Sequence, residues 1–244
     1  MVGKLLVRGM LAGVVAAIFA FVFFKTYGEP WVDHAIAIEE QHSAAAGMAA
    51  EPELVSRSVQ AGLGLLTGVL IYGVAIGGLF AIAYAFANKR LGVLSPRSTA
   101  MLIAIVGLVA LIVVPALKYP ANPPAVGSGD TIGARTQLYF LMVAASVLSA
   151  TLSIMAATKL WPRIGGWYAS LAAVCIYAGI VAVMMQILPA VNEVPEGFPA
   201  ETLYNFRTAS IAGHVIFWTL LGVAFDILRL LSDALWPRRG INAA

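Results

Sequence analysis

Long runs of apolar residues, separated by short polar stretches, are the main pattern of this chain. Six runs reach about twenty residues, the length that a helix needs to cross the hydrocarbon core of a bilayer. Because a backbone in lipid must satisfy its own hydrogen bonds, each run predicts a transmembrane helix. The helices are expected at about residues 5–24, 59–87, 98–117, 136–158, 167–188 and 208–230. Residues 1–244 are therefore predicted to form a single all-α transmembrane domain.

The first run has a second interpretation, because Lys4 and Arg8 precede it as basic residues precede the apolar core of a signal peptide. No small-x-small cleavage site follows soon after Phe24. We therefore expect an uncleaved first helix.

Composition excludes a soluble fold. Of the 244 residues, 61% are hydrophobic and 11% are charged, whereas about a quarter are charged in soluble domains. The basic residues form no stripe along the chain, so the net charge of +3 does not indicate a nucleic-acid partner. Cys175 is the only cysteine, which excludes a disulfide framework or a cysteine metal cluster.

The charged residues predict the orientation in the membrane. Of the 15 basic residues, eight lie before the first helix, after the last one, or in the two connections that follow the second and fourth helices, and Arg8 and Arg229 lie in the helix ends on the same side. Of the 12 acidic residues, ten lie in the other three connections. The positive-inside rule therefore places both termini in the cytoplasm. The outer connections are expected at about residues 25–57, 118–135 and 189–207.

The outer connections share a pattern that suggests three helical hairpins. Each odd-numbered helix is followed by proline close to asparagine or glutamate, in residues 25–30, 118–123 and 188–195. Each even-numbered helix begins near an arginine followed by a hydroxyl residue, at Arg57, Arg135 and Arg207. Such parallel repeats occur in transporters. Short matches also arise by chance in so biased a composition, so both interpretations remain open.

The three arginines oppose the helix dipole and the orientation rule, which calls for a compensating partner. An acidic residue precedes each of them, at Glu53, Asp130 and Glu201. We expect pairing with these acids, with contacts to lipid phosphates as the alternative.

Glycines at four-residue spacing predict close helix packing rather than ligand sites. The pairs are Gly9 with Gly13, Gly64 with Gly68, and Gly73 with Gly77. Pro115 and Pro189 are expected to kink or end their helices and to leave carbonyl groups free.

Imidazole and carboxylate groups cluster after the first helix and suggest a site for a divalent cation. Candidate metal ligands are Asp33, His34, Glu39, Glu40 and His42, with His214 of the sixth helix as a further ligand. Mixed nitrogen and oxygen donors suit cobalt, nickel or zinc. The alternatives are an acidic surface that only attracts cations, and a neutral His214 bonded to another helix.

The remaining polar residues of the outer connections are candidates for the mouth of a transport path. They are Glu29, Lys118, Asn122, Arg135, Asn192, Glu193 and Arg207. No catalytic motif is present in the sequence, so an enzyme is not expected.

Several stretches resemble the CbtA family of probable cobalt transporter subunits. They include residues 27–30, 35–40, 56–64 and 191–195, and the Lys-Tyr-Pro-Ala-Asn-Pro-Pro stretch of residues 118–124 is the most specific. The resemblance implies a multi-pass protein of the bacterial cytoplasmic (inner) membrane that takes up cobalt for cobalamin synthesis. It also implies a small partner, CbtB, with one membrane helix and a histidine-rich tail.

We therefore expect the membrane-spanning subunit of a divalent-cation importer, with cobalt as cargo and no permanently bound cofactor. Membrane lipid is its other partner, and a homo-oligomer is left open. The alternative is a membrane scaffold or metal sensor that binds a partner through its outer connections.

Overall fold

The structure consists of helices and irregular connections. The computed structural model describes residues 2–47, 54–88, 90–91 and 94–235, apart from the side chains of Val2, Asp233 and Leu235. Within these ranges there is no β-strand, which confirms the all-α prediction for them. The α-helices are α1 (Val2–Phe23), α2 (Glu29–Ala45), α3 (Arg57–Val59), α4 (Leu65–Ala87), α5 (Pro96–Leu108), α6 (Val114–Lys118), α7 (Ile132–Ile187) and α8 (Ala200–Leu235).

Three π-helical turns join consecutive helices. They are Phe24–Gly28 between α1 and α2, Gln60–Gly64 between α3 and α4, and Val109–Val113 between α5 and α6. Two of the turns come just before a proline, Pro30 and Pro115. Proline cannot donate a helical hydrogen bond and clashes with the carbonyl four residues before it, and a wider turn relieves both conflicts. The helix therefore continues past Pro115 to Lys118.

With the π-helical and 3₁₀ turns included, five helical segments of the described residues are long and apolar enough to cross a membrane. They are Gly3–Ala45, Arg57–Ala87, Pro96–Lys118, Gly129–Ile187 and Ala200–Ser232. Together with the composition, these segments characterise the chain as a multi-pass membrane protein.

The segment α7 folds back on itself. Gly165 has φ 77° and ψ 163°, which interrupts the helix at a conformation that favours glycine. The hydroxyl groups of Ser146 and Tyr177 lie 2.7 Å apart. Because residues 31 positions apart on a straight helix would be separated by about 46 Å, the residues before and after Gly165 must form an antiparallel pair.

The described chain forms two compact units. Unit 1 consists of Met1–Val22, Arg57–Ile105 and Val215–Ala244, and unit 2 of Phe23–Ser56 and Val106–His214. In unit 1, Phe225 of α8 is fully buried between the rings of Phe80 and Tyr84, at centroid distances of 5.1 and 4.8 Å. Edge-to-face contacts between aromatic rings thus join α4 and α8.

Unit 1 also contains a close crossing of α1 and α4 at glycines. A Cβ added to Gly73 would lie 2.6 Å from the carbonyl oxygen of Gly13 and 2.7 Å from the Cβ of Ala17. Gly9 and Gly77 approach each other in the same way. Close packing is therefore confirmed for these four glycines, whereas a Cβ added to Gly68 would meet no neighbouring atom within 4 Å, and the prediction for it is wrong.

We expect Gly73→Ala to destabilise the protein by about 1–3 kcal/mol, because the methyl group would meet backbone atoms that cannot move aside. Unfolding by sodium dodecyl sulfate of the detergent-solubilised protein, followed by circular dichroism, measures this change. Gly68→Ala on the same helix is the matched control and is expected to be neutral or slightly stabilising. Equal stability of the two variants would contradict the glycine crossing.

Candidate functional site

A cavity of about 380 Å³ lies within unit 2, between the second and third predicted outer connections. We call it the loop cavity. Its lining combines aromatic, amide, hydroxyl and charged side chains with a few apolar ones: Tyr119, Pro120, Asn122, Val126, Ile132, Arg135, Thr136, Tyr139, Val191, Asn192, Glu193, Val194 and Arg207. Five of the seven residues predicted for the mouth of a path are in this list, namely Asn122, Arg135, Asn192, Glu193 and Arg207.

Glu193, in the third outer connection, binds residues of the second one at one side of the loop cavity. Its Oε2 accepts hydrogen bonds from the backbone N–H of Ser128 at 3.0 Å and from the hydroxyl of Thr131 at 2.9 Å. The same oxygen lies 3.2 Å from Nε of Arg135, whose Nη2 donates to the carbonyl of Ser128 at 2.9 Å. These contacts lower the pKa of Glu193 below its ordinary value of 4.5, the Ser128 N–H having the largest effect. Glu193 is therefore ionised at neutral pH and holds the second and third outer connections together.

Arg207 holds the other side of the loop cavity without a carboxylate. Its Nε donates to the carbonyl of Ala121 at 3.2 Å, and its Nη2 donates to Oδ1 of Asn122 at 2.7 Å. Both acceptors are neutral. No described carboxylate forms an ion pair with Arg207.

The predicted partners of the arginines are therefore wrong where the structure describes them. Arg135 pairs with Glu193 and not with Asp130, and Arg207 bonds to Asn122 and not to Glu201. The reason is helical geometry, because Glu201 and Arg207 are six residues apart on α8, whereas facing positions are three or four apart. The predicted partner of Arg57, Glu53, lies outside the described residues.

Lys118 and Tyr119 bind the end of α7. Pro189 has no N–H to donate to the carbonyl of Met185, four residues before it, and Nζ of Lys118 donates to that oxygen at 2.8 Å. The hydroxyl of Tyr119 donates to the carbonyl of Pro189 at 2.8 Å. The carbonyl of Met185 thus lacks a helical donor, as expected near Pro189, but it accepts a hydrogen bond from a side chain. Near Pro115, the hydroxyl of Tyr139 lies 3.5 Å from the carbonyl of Leu111.

Helix α2 packs against the same connections. Ala35 of α2, Val126 and Phe198 are all buried in one cluster, with Ile38 beside them. Ala35 has no exposed surface. The loop cavity, α2 and both connections therefore belong to one packed unit, and Glu29 lies at the start of α2, outside the cavity lining.

The predicted metal ligands of α2 do not converge. Asp33, His34, Glu39, Glu40 and His42 are all exposed. At about 100° per residue, these five positions point in directions spread around the whole circumference of the helix. Among the described residues, no group of three or more histidine, cysteine, aspartate or glutamate side chains is arranged to hold a metal ion. Glu39 and His42, three residues apart, are the pair best placed to share an ion.

His214 lies in a different environment. Its half-buried ring packs edge-on against Phe24, with centroids 6.2 Å apart and an interplanar angle of 76°. Nδ1 of His214 is shielded from solvent. Among the described residues, His214 belongs to no group of three histidine, cysteine, aspartate or glutamate side chains that could hold a metal ion.

Sequence reasoning missed the residues that orient Glu193. Ser128 lies between Gly127, at φ 107°, and Gly129, and this glycine-flanked serine is a signal of a shaped turn. A Cβ at Gly127 would collide with the guanidinium group of Arg135. Gly127, which has no Cβ, therefore leaves space for the side chain of Arg135.

Replacing Glu193 by glutamine is expected to lower the stability at neutral pH, because the charge facing Arg135 is lost. Since the folded-state pKa of Glu193 is lowered, its contribution is present above about pH 4.5 and is lost as the pH falls through the folded value. The stability difference between wild type and Glu193→Gln should therefore shrink on acidification. Thermal unfolding in detergent between pH 7 and pH 3 tests this, with exposed Glu196→Gln as control. A difference independent of pH would contradict it.

Lys118→Met is expected to destabilise the protein by about 1–3 kcal/mol, because the carbonyl of Met185 would lose its donor. Chemical unfolding in detergent is the measurement. Lys25→Met, which changes an exposed lysine, is the matched control and is expected to have little effect. A Lys118 variant as stable as the Lys25 variant would show that water replaces the lysine.

Comparison with known proteins identifies the family. A family model described as "Probable cobalt transporter subunit (CbtA)" matches residues 2–229, nearly the whole chain. No curated protein and no solved structure matches the chain. The match confirms the resemblance carried by residues 118–124 and the other stretches, and the word subunit implies a partner chain. This multi-pass membrane protein belongs to the CbtA family of cobalt transporter subunits.

Proposed function

We propose that this chain is the membrane-spanning subunit that passes cobalt ions from the extracytoplasmic side of the bacterial inner membrane to the cytoplasm. The observation that carries the proposal is a cobalt-transporter family match over residues 2–229 of a chain with five membrane-length apolar helices. The imported cobalt would supply cobalamin synthesis. A CbtB-like chain with a single membrane helix and a histidine-rich tail is the partner that we propose.

The topology that we propose has six membrane crossings arranged as three hairpins in one transmembrane domain. The reversal at Gly165 supports two crossings within α7, since the hydroxyl groups of Ser146 and Tyr177 meet at 2.7 Å. Each of the other four long segments then crosses once. The distribution of basic residues supports cytoplasmic termini, and with that orientation we propose that α2 and the loop cavity lie on the extracytoplasmic side.

The route that we propose begins on α2. Helix α2 contains Glu29, Asp33, Glu39 and Glu40 but no lysine or arginine, so its surface attracts cations. Carboxylates with His34 and His42 offer the mixed donors that cobalt accepts, and Glu39 with His42, three residues apart on the helix, is the pair best placed to share an ion. His214 is a deeper ligand. An inside-negative membrane potential favours entry of a dication by about 4.6 kcal/mol per 100 mV, twice the value for a single charge.

The residues around the loop cavity border the outer mouth of the proposed route. Lys118 and Arg135 hold the two connections in place, directly or through Glu193, and Asn192 adds an amide to the rim. A rigid rim keeps the acidic helix α2 beside the entrance while ions pass.

A membrane scaffold or metal sensor is the second candidate. One observation favours a scaffold that moves no ion: the described residues contain no group of three histidine, cysteine, aspartate or glutamate side chains arranged to hold a metal ion. A sensor would bind cobalt through α2 and signal to a partner without moving the ion.

We expect proteoliposomes that contain this chain and a CbtB-like partner to accumulate radioactive cobalt under an inside-negative potential. Combining His34→Ala, His42→Ala and His214→Ala should lower the initial rate at least about tenfold, since each substitution removes a candidate ligand. Replacing Gln41 and Ser43 by alanine, in a double variant on the same helix, is the control and should leave uptake unchanged.

The outcomes separate the two candidates. Uptake that needs this chain and falls in the histidine variant supports a transporter with an imidazole-dependent route. Folded protein that binds cobalt in equilibrium dialysis but moves none, with or without the partner, favours the sensor and contradicts the importer.

A further inference from the structure

The charges around the loop cavity have the wrong sign for a bare cation. Two guanidinium groups, Arg135 and Arg207, line it against one carboxylate, Glu193. That carboxylate is already used, because its Oε2 accepts two hydrogen bonds and faces Arg135 at 3.2 Å. The net charge of the described lining is therefore positive, and it resides on Arg207.

Arg207 has capacity for a ligand. A guanidinium group has five N–H donors, and the two hydrogen bonds of Arg207 to protein go to the neutral oxygens of Ala121 and Asn122. Arginine forms its strongest and most specific hydrogen bonds with carboxylate and phosphate oxygens, which match its planar fork. A volume of about 380 Å³ also falls in the range of small-molecule sites.

Neutral donors near Arg207 would complete the coordination of an anion. Asn122 and Asn192 contribute amide N–H donors to the same lining, whereas the hydroxyl group of Thr136 already donates to the carbonyl of Ile132 at 2.7 Å. An oxyanion would thus meet one full positive charge together with the amide groups of Asn122 and Asn192.

We propose that the loop cavity is a binding site for a small oxyanion of the carboxylate or phosphate type, with Arg207 as its charged ligand. This site differs from the cation-attracting surface of α2 and does not depend on whether the chain moves cobalt. The bound oxygens belong either to a free anion or to the headgroup of an anionic lipid, which offer the same chemistry.

The test is equilibrium dialysis of radioactive phosphate and of radioactive citrate against the full chain in detergent, with ionic strength held constant by sodium chloride. We expect saturable binding of at least one anion at about one site per chain. In Asn122→Asp, a carboxylate takes the place of the amide 2.7 Å from Arg207 and cancels its charge while keeping their contact. This variant should stay folded and should bind the anion at least about tenfold more weakly.

Matched variants separate anion binding from a purely structural role of Arg207. Asn205→Asp makes the same substitution two residues from Arg207, at a position that does not face it, and should leave binding unchanged. Arg207→Lys keeps the charge and should retain weakened binding. Arg163→Gln, which removes an exposed positive charge near Gly165, controls for net charge.

The proposal is overturned if neither anion binds saturably to the wild type, or if Asn122→Asp binds as tightly as Asn205→Asp. Competition by phosphatidylglycerol, but not by phosphatidylcholine, would support the site and assign its natural occupant to an anionic lipid headgroup. Anion binding that neither lipid affects would support the site and assign it to a free anion.

Discussion

The structure depends on one constraint: a backbone in an apolar environment must find a partner for every N–H and C=O group. Continuous helices satisfy this along most of the chain, and a proline within or just after a helix leaves one carbonyl without its helical donor. The side chains of Lys118 and Tyr139 supply donors to the carbonyls of Met185 and Leu111, whose helical donors would have been Pro189 and Pro115. The second connection and the start of α7 are therefore bound to the carbonyls that these two prolines leave without a helical donor.

These hydrogen bonds from side chains to backbone carbonyls explain why a polar cavity can exist in so apolar a chain. Tyr119 donates to the carbonyl of Pro189, and Glu193 takes donors from Ser128 and Thr131, so the two connections are held by paired groups. The burial of Ala35 against Val126 and Phe198 adds α2 to this unit. One packed assembly thereby carries an acidic helix and a cationic cavity. Metal cations and oxyanions would be drawn to different parts of its surface.

The membrane class, the all-α fold and the family were predictable from the sequence, because apolar runs and a specific motif at residues 118–124 are local signals. Close packing at Gly9, Gly13, Gly73 and Gly77 also followed from their spacing. The same spacing failed at Gly68, since which face of a helix meets a neighbour depends on where that neighbour lies. The continuation of α1 into α2 was less predictable, because it depends on the π-helical turn that comes just before Pro30.

The sequence by itself determined which runs are apolar enough to form membrane helices and which residues are too polar for lipid, because both depend on local composition. Only the tertiary structure decided which of those polar residues meet. Asp130 and Glu201 are nearer to the arginines in sequence, yet Glu193 reaches Arg135 and Asn122 reaches Arg207 from more than 50 residues away. Conversely, the acids and histidines of α2 are neighbours in sequence and point apart, because a helix turns by about 100° at each residue.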